Sequence, residues 1–357
     1  MKSENRFILE LIKGEHTDKE ALIDLMKEGM DYPYILGQLL YNRVGAAAYL
    51  TLKQAGLLQN GNREFRNSLR AIYEYNSVKT ESFNKAIVLL SSICKEFKFP
   101  YALLKGAYLV DLYPQGLRTS NDVDILIAPE NITELTNILK KYGFNQGNIR
   151  NEEFVLASRK EIVSSRMNRG ETVPFIKELN LPGMKYLELD VNFSLGFKPG
   201  EDEEIVSDFL SRTEPLIYGG IHTLDNVDFL LHLCAHLHKE ATVMSWVEMG
   251  RDISLYKYCD IYLYLNRYIN DTYIDDLIRR IKEVGLNKDC YYTLYYTNEL
   301  FGISNSIMDR LLNGIRPENL SFMHQIVDPQ TSKTYSFDIK YSDWVFRSNR
   351  RELLNEA

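Results

Sequence analysis

The chain has 357 residues, enough for two or three folded units, and its 45% hydrophobic and 25% charged composition suits a chain that buries a sizeable core. Forty-two Lys and Arg against forty-nine Asp and Glu leave a formal charge of −7, which disfavours a protein that tracks a nucleic-acid backbone. The four cysteines, Cys94, Cys234, Cys259 and Cys290, form no C-x-x-C pair, which removes zinc-ribbon and thioredoxin-like readings.

In chain order, residues 1–84 read as a helical region. Phe7, Leu9, Leu11 and Ile12, then Leu22, Ile23, Leu25 and Met26, recur at helical spacing, and Pro33 and Gly61 divide the region into several short helices. A further helix is expected from about residue 77 to 97. Over 85–225 the pattern changes. Residues 101–104 read as a short buried strand, 107–112 as a helix, 123–127 as a strand, and 130–142 as an amphipathic helix stopped by Gly143. Residues 154–158 and 186–193 alternate with period two, as strands do. This order predicts an α+β core built on a mixed sheet. Helical spacing returns over 226–325, at 229–240, 254–265, 274–284 and 291–301, and residues 326–357 are expected to form a loosely packed C-terminal arm. No apolar run approaches the roughly 20 residues that cross a bilayer, and the N-terminal stretch lacks a signal peptide's apolar core, so a cytoplasmic location is expected.

The chemistry concentrates between residues 103 and 127. Asp122 and Asp124 stand two apart at the start of an apolar strand, so their side chains leave the same face with Cβ atoms about 7 Å apart or less. Two converging carboxylates call for cations, and hard oxygen ligands suit Mg²⁺. Lys105 and Gly106 lie in the upstream turn, Arg118 and Ser120 immediately precede the pair, and Asp190 is a candidate third carboxylate on the later strand. Gly106 would let backbone approach a ligand, and amides after it could meet phosphate oxygens.

Lys105-Gly106-Ala107, followed by Arg118-x-Ser120-x-Asp122-x-Asp124 and a later strand carboxylate, resembles the polymerase-β-type nucleotidyltransferase superfamily. Within it, the Lys-Gly and Arg-x-Ser details are similar to the bacterial uncharacterised nucleotidyltransferase family and to abortive-infection toxin nucleotidyltransferases. The likeness covers about residues 85–195 and continues weakly through Leu230 to His236 and Asp260. It implies a polymerase-β-like core flanked by N-terminal helices and a C-terminal helical domain. It also implies that Asp122 and Asp124 hold two Mg²⁺ ions (Mn²⁺ also serving) on the phosphates of an NTP. Asp190 would then join the catalytic metal and help deprotonate an acceptor hydroxyl. Lys105 would neutralise phosphate charge, Gly106 and Ala107 would form the nucleotide turn, and Arg118 and Ser120 would position β and γ oxygens or brace that turn. Ala107 departs from the Ser or Gly usual in the superfamily. Glu188, on the same strand face, is the alternative third acid.

Other signals have plainer readings. His232 and His236 have a zinc-compatible spacing, but a zincin needs Glu at the position of Leu233, so a packing or hydrogen-bonding role against the catalytic domain is expected, with contact to nucleotide or acceptor the alternative. Asp260 reads as a buried, paired acid, and Tyr256, Tyr258, Tyr262 and Tyr264 read as aromatic core rather than a base-stacking shelf. The acidic run 201–204 reads as a solvated loop or helix start. The expected activity is transfer of an NMP from an NTP to a hydroxyl or phosphate of a small-molecule, peptide or protein acceptor, with pyrophosphate leaving. The alternatives are a toxin-like enzyme acting on tRNA or protein, and a catalytically silent nucleotide-binding scaffold.

Overall fold

The structure is a computed structural model that describes residues 1–195, 200, 203–216, 220–303 and 306–356, without the Asp111 side chain; half of the acidic run, 201 and 202, lies outside the described residues. The chain opens with short helices α1 (Ser3–Leu11), α2 (Lys19–Lys27), α3 (Tyr32–Tyr41) and α4 (Gly45–Gln54). Asp18 caps α2 by accepting the Glu20 and Ala21 amides at 3.0 and 3.1 Å, and Asp31 caps α3 through the Tyr34 amide at 3.0 Å. Pro33 lies in the first turn of α3, where its missing N–H costs nothing, so it opens a helix. The next helix, α5 (Arg63–Cys94), runs unbroken for 32 residues and starts well before the residue 77 expected from the sequence. No Gly or Pro occurs within it, so nothing in the polar stretch around Tyr73 to Asn76 stops helix propagation.

By its contacts the chain divides into two units, Glu74–Phe229, and Met1–Tyr73 together with Leu230–Ala357. The first unit carries β1 (Tyr101–Leu103), α6 (Gly106–Leu112), β2 (Asp122–Ile127), α7 (Ile132–Lys141), β3 (Asn145–Arg150), β4 (Glu153–Leu156), α8 (Arg159–Asn168), β5 (Phe175–Leu181), β6 (Met184–Asn192), α9 (Glu203–Ser211), β7 (Thr213–Pro215) and β8 (His222–Leu224). Among the described residues its main sheet has six strands in the order β1-β2-β6-β5-β3-β4. β2 and β6 run parallel and the other neighbours antiparallel, which is the mixed sheet expected of an α+β core.

Alternation on β2 and β6 divides the two faces. Val123, Ile125, Ile127, Leu187, Leu189 and Val191 are buried in one apolar cluster with Phe83, Ile87 and Leu90 of α5 and Leu135 and Leu139 of α7. Each such side chain contributes roughly 1.5–3 kcal/mol on burial, which fixes the register, since a slip by one residue would turn every one of them to the other face. The residues between them, Asp122, Asp124, Glu188 and Asp190, therefore share the opposite face.

The second unit continues with α10 (Asn226–Ala241, its first residues belonging to the sheet unit), α11 (Met244–Glu248), α12 (Leu255–Tyr268), α13 (Asp271–Glu283), α14 (Asn287–Phe301), α15 (Ser306–Ile315), β9 (Gln325–Asp328), β10 (Lys333–Ser336), α16 (Tyr341–Trp344) and β11 (Asn355–Glu356). Its N-terminal and C-terminal helices pack together. The Asn42 carbonyl Oδ1 accepts the Leu255 amide at 3.0 Å, and Cys259 donates to the Ile12 carbonyl at 3.1 Å. Tyr258, Tyr262 and Tyr264 are buried, as the core reading expects, whereas Tyr256 is only half-buried, with the Arg43 guanidinium 5.6 Å from its ring centre. Among the described residues no helix is long and apolar enough to cross a membrane.

The expectation of a loosely packed arm after residue 326 is corrected by this packing. Tyr341, Trp344 and Val345 are buried, Trp344 stacks on Phe337 with ring centres 4.2 Å apart, and β9, β10 and β11 form a sheet of their own. The polar and charged residues that suggested an arm include Arg350, which is 2% exposed and pairs in bidentate fashion with the fully buried Asp252, its Nε lying 2.7 Å from Oδ2. Arg350→Ala would strand the Asp252 charge, and we expect a loss of about 3–5 kcal/mol in urea denaturation of the full chain.

Candidate nucleotidyl-transfer site

The site is built where β1, α6, β2 and β6 meet. The parallel register sets Asp124 directly beside Asp190 and Asp122 beside Glu188. Adjacent strands lie about 5 Å apart, so like charges on neighbouring positions repel by about 3 kcal/mol at an effective dielectric of 20. The consequence falls on Asp190. Its burial, then the charges of Asp124, Asp122, Glu171 and Glu188, push its carboxyl well above the ordinary carboxylate range. No hydrogen-bond donor reaches the Asp190 carboxylate among the described residues.

Asp124 is answered differently. It is buried, and its Oδ1 lies 3.3 Å from the Lys105 ammonium and accepts from Asn192 Nδ2 at 3.5 Å. Lys105 reaches it from the turn between β1 and α6, where its backbone takes a positive φ of 34°, a conformation that few non-glycine residues adopt. The Leu104 amide, just before, donates to the Asp124 carbonyl at 2.8 Å, so the same turn is tied to β2 by main chain and by side chain.

Asp122 stands at the open end of β2, exposed on one side and closely surrounded on the others. Burial alone would raise its carboxyl, but the Ser120 hydroxyl, the Lys105 ammonium and Arg118 outweigh it and hold the group below its ordinary value. Ser120 donates to Asp122 Oδ1 at 2.6 Å. Arg118 Nη1 donates to the Thr119 carbonyl at 2.9 Å, so part of its guanidinium braces its own loop.

Two glycines hold this loop in place. A Cβ on Gly106 would lie 3.0 Å from Ser120 Oγ and 3.1 Å from the Asp122 carbonyl, so the close approach that Gly106 permits is to the chain's own Ser120–Asp122 segment. Gly116, at φ 82°, presses on α5, where a Cβ would come within 3.2 Å of the Ser77 backbone. Thr80 of α5 completes the clamp, donating to the Asn76 carbonyl and the Arg118 carbonyl at 2.9 and 3.2 Å.

Of the residues expected from the sequence, Lys105, Gly106, Ser120, Asp122, Asp124 and Asp190 come together, with Arg118 at the edge. Ala107 does not point into the site. Its methyl is buried in the apolar cluster and its amide donates to the Leu104 carbonyl at 3.3 Å, so neither group is left for a phosphate. The Tyr108 and Leu109 amides are likewise spent on the Lys105 carbonyl, at 3.1 and 2.7 Å. Asn192 and Glu171 went unnoticed in the sequence. Period-two spacing from Asp190 would have found Asn192, whereas Glu171 reaches the cluster through its bridge to Asn192, a pairing that no local pattern announces.

The histidines lie in the other unit. His232 is buried, its ring centre 6.1 Å from that of His236, and His236 Nε2 lies 3.2 Å from Glu240, which pairs with Lys257 at 2.6 Å. Among the described residues no three Asp, Glu, His or Cys side chains stand close enough around one point to hold a metal ion as they are arranged.

The raised Asp190 carboxyl gives the cluster a pH signature. An acid whose folded value lies above its unfolded value weakens the fold once it ionises, so stability falls as pH rises through that interval. In chelator-treated protein, Asp190→Asn should therefore be more stable than wild type at pH 8, with the two converging towards pH 4. Urea midpoints across that range measure it, and equal midpoints at pH 8 would remove Asp190 from the cluster.

A search of curated proteins gave no match to the chain. The family profile described as uncharacterised nucleotidyltransferase matches residues 29–302, a span that takes in the sheet, the acid cluster and most of the helical C-terminal half. A turn that sets Lys105 against Asp124, on strands that gather four carboxylates, thus occurs in a protein that belongs to the uncharacterised nucleotidyltransferase family.

Proposed function

We propose that the protein moves a nucleoside monophosphate from an NTP to a hydroxyl or phosphate of a small-molecule, peptide or protein acceptor and releases pyrophosphate. One observation carries this reading: Asp124 and Asp190 face each other across the parallel β2–β6 pair, with Asp122 beside them and a lysine on Asp124.

A divalent cation suits these residues. The donors are hard carboxylate oxygens, and Asp122, Asp124, Glu188 and Asp190 share one face of β2 and β6 with the Lys105 ammonium on Asp124. With their side chains turned towards one point, which they do not share as arranged, Asp122, Asp124 and Asp190 would hold Mg²⁺ or Mn²⁺, which would supply charge neutralisation for the triphosphate and its departing pyrophosphate. The chain's own groups do the rest. Lys105 leaves Asp124 for a phosphate oxygen once other positive charge answers the carboxylates. Ser120 and Arg118 steer β and γ oxygens from a loop that Gly116 and Thr80 keep fixed on α5. Asp190, ionised once added positive charge answers the cluster, would accept the proton of the acceptor hydroxyl as that oxygen attacks the α-phosphorus and the bond to the bridging oxygen breaks, releasing pyrophosphate. The formal charge of −7 favours small or proteinaceous acceptors over nucleic acid.

The test incubates purified protein with each labelled NTP, Mg²⁺ or Mn²⁺ and a cell extract, beside the Asp122→Ala/Asp124→Ala variant. Label should pass to an acceptor with wild type, and the variant should lose at least about a hundredfold in rate. Equal labelling by both proteins would refute the assignment.

A further inference from the structure

We propose that a cleft between the start of α1, the helix α3 and the turn after α16 binds a small phosphorylated molecule, at a site that shares no residue with the acid cluster. The cleft has a volume of about 230 Å³ and is lined by Lys2, Asn5, Tyr34, Gln38, Phe346 and Arg347, among others, all within one unit. That space takes a phosphate and a few carbon atoms, and is smaller than the roughly 300–1,000 Å³ of pockets for drug-sized ligands.

Its charge is lopsided. The Lys2 ammonium lies 4.9 Å from the centre of the Tyr34 ring, and neither it nor the Arg347 guanidinium has an ion pair or hydrogen bond among the described residues. Asp343 is the one carboxylate on the lining, and it lies 3.8 Å from the Met1 amine.

The wall also offers a prepared donor. Asn5 is only 3% exposed, and the Tyr34 hydroxyl donates to its Oδ1 at 2.8 Å, which fixes the carboxamide. Its Nδ2 has no acceptor among the described residues and is not fully enclosed, so this donor stays open to a ligand or to water. Arginine, lysine and an amide together match the three terminal oxygens and near-double charge of a phosphate monoester. A carboxylate, with one charge and two oxygens, would leave a cation unanswered.

Calorimetric titration of the full chain with inorganic phosphate, in chelator at constant ionic strength, tests the site. Wild type should bind saturably with a dissociation constant on the order of millimolar, and glycerol 3-phosphate at least as tightly. Arg347→Gln should weaken binding about tenfold or more and Lys2→Gln several-fold, with unchanged urea midpoints because both side chains are exposed. Lys105→Gln, in the acid cluster, should bind phosphate as wild type does. Absence of saturable binding, wild-type affinity in Arg347→Gln, loss in Lys105→Gln alone, or acetate binding as tightly as phosphate would each overturn the proposal.

Discussion

Everything at the acid cluster depends on one opposition across a single strand pair. One face of β2 and β6 is held in the core by Val123, Ile125, Leu187, Leu189 and Val191, and the other carries Asp122, Asp124, Glu188 and Asp190. Apolar burial at roughly 1.5–3 kcal/mol per side chain exceeds the repulsion of about 3 kcal/mol for neighbouring charges, so the sheet forms and the carboxylates are forced together. The charge imbalance that results is relieved by a cation such as Lys105 or by a proton held on Asp190.

The remaining features of the cluster regulate where those cations can be. Lys105 supplies one from a turn with an unusual positive φ, and that turn is anchored on β2 through the Leu104 amide and the Asp124 carbonyl. The loop that brings Arg118 and Ser120 is pressed against α6 at Gly106 and against α5 at Gly116. Neither glycine could gain a side chain without a shift in its neighbours, so the fine geometry of the cluster rests on two close backbone contacts as much as on its charged groups. Ala107 fits this arrangement: a small methyl directed into the core lets α6 pack, and the amides of Ala107, Tyr108 and Leu109 are spent within the turn itself.

The elements legible in the sequence were those whose side chains repeat with a clear period. β2 and β6 alternate, α7 carries Leu135 and Leu139 inward, and the helices after residue 226 follow helical spacing, and all of these occur in the structure. β3 and β5 were not legible. Asn145–Arg150 is polar and holds a glycine, and it is a strand because Gly147 can approach the β4 backbone and Phe154, where a Cβ would fall 2.3 Å from the Val155 carbonyl. The true length of α5 and the packing of residues 326–356 were missed for a related reason, since polar stretches carry no period when their partners are distant in sequence.

By itself the sequence determined which residue types were available for chemistry. A carboxylate pair on an alternating strand, a lysine and glycine in the preceding turn, and a later acidic strand are local facts, set by spacing alone. Only the tertiary structure decided which of them meet. The parallel register of β2 and β6 chose Asp190 as the neighbour of Asp124 and gave Glu188 to Asp122. Contacts between residues far apart in the chain brought in Glu171 and Thr80 and turned Ala107 away. The physical reason is that register and close approach are properties of two segments at once, and no single segment encodes them.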